Sequence, residues 1–214
     1  MDSPKPHLWR NTILFAGLIY ALSSVYGVLY VQTISIAVCS EALAFTAGIL
    51  IGSSFVLSSL TYFFNFMDTK LKYRKQLGLL GYYVALAYSI TLFLRNVDHY
   101  GTHASTSLGT REALLGLSAM AILSMMAIIS GNWAIKLLGN RWRMLLRTGY
   151  IAYILLIIRA FIIEGGSWRQ WAFSFMSLPP PRLILSIFAL IVIYARIGLE
   201  IALRLKKKLP TQPK

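Results

Sequence analysis

The chain has 214 residues, 57% hydrophobic and only 13% charged, where a soluble domain carries roughly 25% charged residues. Its net charge is +14, from 21 lysines and arginines against 7 acids, and its mean hydropathy is +0.64. At about 20 apolar residues per crossing, six membrane spans consume over half of it, which excludes a separate soluble catalytic domain of ~50 residues or more.

The spans follow in chain order. The first, Thr12–Gln32, comes after a short tail with Lys5 and Arg10. It is longer than a signal-peptide core and no small-residue cleavage site follows, so it is expected to stay as a helix. The second, Ala42–Phe64, repeats Ala44, Gly48 and Gly52 every four residues, a smooth stripe suited to close helix packing. The third, Leu77–Leu94, follows the charged run from Asp68 to Lys75, and the fourth, Glu112–Ser130, follows the polar stretch from Asp98 to Arg111. The fifth, Met144–Ile163, is preceded by Gly139-Asn-Arg-Trp-Arg143, and the sixth, Arg182–Leu203, by Pro179-Pro-Pro181. Such runs must be helical, because lipid cannot satisfy exposed backbone groups. The alternating segments of about ten residues that build a membrane barrel are absent. The expected fold is therefore all-α: one six-helix integral membrane domain over residues 12–203, between an N-terminal tail (1–11) and a basic C-terminal tail (204–214).

Six spans put both termini on one side. That side collects Lys5, Arg10, Lys70, Lys72, Arg74, Lys75, Lys136, Arg141 and Arg143, then Arg204, Lys206, Lys207, Lys208 and Lys214. The opposite loops hold Arg95, Arg111 and Arg169 alone. The excess marks the cytoplasm, so a multi-pass protein of a bacterial-type inner (plasma) membrane with both termini cytoplasmic is expected. The charge reads as topology and attraction to anionic lipids rather than nucleic-acid binding, since the cations are dispersed over short segments beside the bilayer.

Cys39 is the only cysteine, so no disulfide framework or Cys-x-x-Cys metal or redox pair exists. The P-loop, the dinucleotide fingerprint, His-Glu-x-x-His and Gly-x-Ser-x-Gly are missing. Charges inside spans carry more information, because lipid makes them costly. Arg147 lies a turn inside the fifth span and reads as a snorkelling cation. Arg196 and Glu200, four apart, share a face and suit an ion pair, though Glu200 could also accept from Arg147. Arg159, about a turn below the outer surface, is either an outward snorkeller or the positive wall of a pocket, with Asp98 and Glu164 as candidate partners. Tyr88 sits deep in the third span, where a phenol needs a hydrogen-bond partner or a polar cavity.

Arg74-Lys-Gln-Leu-Gly-Leu-Leu-Gly81 introduces the third span, and Leu138-Gly-Asn-Arg-Trp-Arg-Met-Leu-Leu146, with Tyr150 a turn later, introduces the fifth. With the short second cytoplasmic loop, these motifs resemble the ferric reductase-like transmembrane domain. Within it, the likeness is to the heme-binding membrane subunit of the bacterial methionine sulfoxide reductase system, over Ala42 to Arg159. The resemblance implies b-type heme held by histidines between the third and fifth helices, and electron transfer across the membrane to a partner subunit. Carried over residue by residue, the ligand positions fall on Tyr88, Leu146 and Arg159. None is histidine; the chain's histidines are His7, in the tail, and His99 and His103, together in one outward loop. Iron in this class needs imidazole on both faces.

The expectation is thus an oxidoreductase-like membrane protein whose heme site has degenerated, with no cofactor bound. The rivals are an oxidoreductase using flavin or quinone in the vacated space, and a non-enzymatic assembly or interaction subunit. No metal site is expected. Tyr83, Tyr88, Tyr150, Tyr153 and Phe161 are expected to fill the gap, leaving no heme-sized cavity, with the Tyr88 hydroxyl bonded.

Overall fold

The computed structural model describes residues 6–64, 70–95, 107–131, 148–174 and 178–208. Their elements are six long helices: α1 Pro6–Val31, α2 Ile36–Phe63, α3 Arg74–Arg95, α4 Ser107–Ile129, α5 Gly149–Ser174 and α6 Pro181–Lys208. No strand occurs among the described residues. α1, α2, α3, α5 and α6 are each long and apolar enough to cross a membrane; within α4, Ala113–Ile129 is a shorter apolar helix. The chain is an integral, multi-pass, all-α membrane protein.

All six helices run further at one end or both than the spans read from composition. α2 starts at Ile36, capped by the Ser35 side chain, which accepts from the Val38 amide at 3.3 Å. Cys39 and Glu41 are therefore helical rather than in a loop. α5 continues past Ile163 to Ser174 through Gly165 and Gly166. The Trp168 indole donates to Glu164 at 3.4 Å and packs edge-on to Phe161, which holds that extra stretch together. Pro181 opens α6 at the one helical position where its missing N–H costs nothing.

α2 is the centre of the bundle, against α1, α3 and α6. α3 runs antiparallel to it, with Gly78 and Gly81 opposite Ser54 and Ile51. The small-residue stripe does what small residues do between lipid-buried helices, letting backbones approach. A Cβ on Gly48 would stand 2.7 Å from Leu185 of α6, and one on Gly52 would overlap Phe188 and the Tyr153 hydroxyl. Tyr153 is buried and donates to the Gly48 carbonyl, tying α5 to α2. The main core, around Ile51, Phe55, Ala119, Leu123, Ala152 and Val192, draws on α2, α4, α5 and α6.

The two ends differ in chemistry. At one, Arg182 bridges Glu164 (3.0 Å) and Glu41 (3.2 Å), linking α6, α5 and α2. At the other, Asn11 of α1 donates to the Tyr73 hydroxyl at 3.2 Å beside Lys72, Arg74 and Lys75. There too, Arg196 pairs with Glu200 at 3.1 Å and lies 5.7 Å over the Tyr150 ring.

Candidate functional site

Between α2, α3, α4, α5 and α6 lies an apolar cleft of about 560 Å³. This overturns the expectation of a filled centre. The proposed fillers explain why. Tyr83 and Phe161 are 57% and 61% exposed and point out of the bundle, Tyr150 stacks on Phe55 at 4.7 Å, and Tyr153 is absorbed into the core. Only Tyr88 and Tyr153 reach the cleft wall, and α3 and α5 make no extended packing contact with each other.

Tyr88 and Arg159 line this same cleft. The small residues opposite make room for them: Gly116 of α4 lies against the Arg159 side chain, with Nε 3.5 Å from where a Cβ would stand. The Arg159 Nε is buried with no acceptor among the described residues, and the side chain lines the cleft. Glu164, one of its expected partners, pairs instead with Arg182. Asp98, the other, lies outside the described residues, as do Leu146, Arg147, His99 and His103. No described residue hydrogen-bonds the Tyr88 hydroxyl, contrary to expectation. On α5, the described residues that share the cleft with Tyr88 are Tyr153, Leu156, Ile157, Arg159, Ala160 and Ile163.

Sequence reasoning missed Arg182, which was read as a span boundary and instead lines the cleft mouth while holding both carboxylates. It also missed the α4 wall, where Met120 lies 4.0 Å from the Ser89 hydroxyl. Nothing local in the sequence points to either, since both depend on which helices become neighbours.

The cleft wall can be tested for iron. Among the described residues that line it there is no histidine or cysteine. The Tyr153 hydroxyl is committed to a backbone carbonyl, leaving the Tyr88 phenol and the Met120 thioether as donors, on neighbouring helices. This donor set does not fit bis-imidazole ligation. Among the described residues no group of three or more His, Cys, Asp or Glu gathers to hold a metal ion. The arrangement suits a largely apolar ligand with one group able to accept from a guanidinium or phenol.

No family model matches the chain. It is similar to the protein-methionine-sulfoxide reductase heme-binding subunits MsrQ of Brucella ovis, Brucella suis and Brucella abortus. Each is 33% identical over 101 residues, 47% of this chain and 46% of the relative. The similarity therefore spans about half the length of these relatives. Over that half, the chain resembles the MsrQ heme-binding subunits.

Proposed function

We propose that this protein is a membrane subunit of an electron-transfer system related to that of the MsrQ relatives, in which the heme site itself has degenerated. One observation carries the reading: among the described residues, the cleft lined by Tyr88 and Arg159 offers no imidazole or thiolate. Such a chain serves as an assembly or interaction subunit for a membrane or extracytoplasmic partner. Its membrane domain covers residues 12–203, with cytoplasmic tails at 1–11 and 204–214. The absorption spectrum of the purified protein tests the reading. No Soret band is expected, and stoichiometric heme would overturn it.

A second reading is an oxidoreductase that uses a flavin or quinone. The openness of the cleft favours it, because a merely vestigial site gains stability by collapsing. A flavin band in the same spectrum, or quinone in an organic extract, would select this alternative.

The lysine and arginine bias supports an orientation with both termini in the cytoplasm, and the proposed location is a bacterial-type inner membrane. Cys39 is exposed near the opposite end of the bundle. Membrane-impermeant thiol reagents applied to intact cells should label Cys39. In a Cys39→Ser background, Gln212→Cys should remain unlabelled, and labelling there would reverse the orientation.

A further inference from the structure

A second groove, of about 340 Å³, lies between α2, α3 and α4 on the opposite half of the bundle from Arg159. Its rim carries Lys72, Arg74 and Lys75, and no acidic residue is among the described residues that line it. Its body is apolar, with Ile51, Phe55, Leu79 and Met126. The rim is built into the fold. Ser54 of α2 donates to the Arg74 carbonyl at 2.8 Å, fixing the start of α3, and Gly78 lets α3 come within 3.1 Å of that hydroxyl, measured from where its Cβ would be. Farther in, the Tyr82 hydroxyl meets Ser124 at 3.2 Å and joins α3 to α4. From Arg74 to Tyr82 the groove runs eight residues, about 12 Å at 1.5 Å per residue.

Cations at the mouth of an apolar slot in a bilayer match one class of molecule, an anion carrying a hydrocarbon chain. The geometry points to an anionic phospholipid of the surrounding bilayer as occupant, its phosphate among Lys72, Arg74 and Lys75 and an acyl chain between α3 and α4. A phosphate there gains charge-assisted hydrogen bonds that a zwitterionic lipid weakens through its own cation. The exposed seam gives lateral entry, since α3 and α4 pack far less closely on each other than either packs on its main neighbour. This site is distinct from the Tyr88–Arg159 cleft and stands or falls independently of the heme reading.

The test is native mass spectrometry of the full chain from mixed micelles, titrated with phosphatidylglycerol or phosphatidylcholine. The unmodified protein should retain phosphatidylglycerol preferentially. Lys72→Gln with Arg74→Gln should weaken that retention by about 25-fold, about fivefold per charge. Ala127→Trp, which blocks the groove while keeping every charge, should also release the lipid at unchanged helix content. Changing Lys206, Lys207 and Lys208 to Gln removes more charge away from the groove and should cost much less. A loss from the tail variant equal to that from the rim variant would overturn the site in favour of diffuse attraction. So would retention by Ala127→Trp, or displacement of the lipid by inorganic phosphate alone.

Discussion

If the proposed heme-free state holds for the parent, Tyr88→His combined with Arg159→His is expected to add uptake of about one heme per chain. Both positions line a single cleft on opposite helices, α3 and α5, so two imidazoles placed there face shared space. The exchange also removes a guanidinium whose Nε is buried with no acceptor among the described residues, an arrangement that costs roughly 1–3 kcal/mol or more for a charged group. The variant should therefore fold at least as well as the parent. The Soret band and its shift on reduction report uptake. A variant that folds but stays colourless would mean that the cleft never held a macrocycle. Each single substitution provides one imidazole and should bind heme weakly.

Gly52→Leu is expected to cost about 3 kcal/mol, the upper part of the usual range for overpacking a filled interior. Its Cβ would overlap Phe188 of α6 and the Tyr153 hydroxyl of α5 at once. Phe188 packs against the main core, and Tyr153 is held by its bond to the Gly48 carbonyl, so neither ring gives way freely. The thermal midpoint in detergent should fall well below that of the parent. Gly17→Leu on α1 is the matched control, because nothing lies within 4 Å of a Cβ there. Equal losses from the two substitutions would show that lost glycine as such, and not the α2–α5–α6 junction, sets stability.

How much was legible varies with the residue. The small-residue stripe on α2 was, because helices in lipid associate through packing and small residues mark where backbones meet. Its partners, Leu185, Phe188 and Tyr153, were not, being more than 100 positions away along the chain. α2 starts before the expected Ala42 and takes in Glu41, and α5 runs past the expected Ile163 through the Gly165-Gly166 pair. In the structure Arg182 reaches Glu41 across helices, and Glu164, just before the glycines, is held by both Arg182 and Trp168. Ion pairs between helices erase local stop signals.

Length, hydropathy and charge by themselves determined an all-α bundle of long apolar helices, because lipid leaves the backbone no other satisfied form. They also singled out Arg159 and Tyr88, since polar groups inside a span stand out against an apolar background. Which way each side chain faces was decided only by tertiary structure. In lipid, an outward-facing Tyr83 or Phe161 costs little, so a uniformly apolar helix carries no stripe to say which aromatics fill the centre and which face the bilayer. Helix packing sent those two outward, drew Glu164 to Arg182, and set the Arg159 Nε on the wall of an open cleft with no acceptor among the described residues.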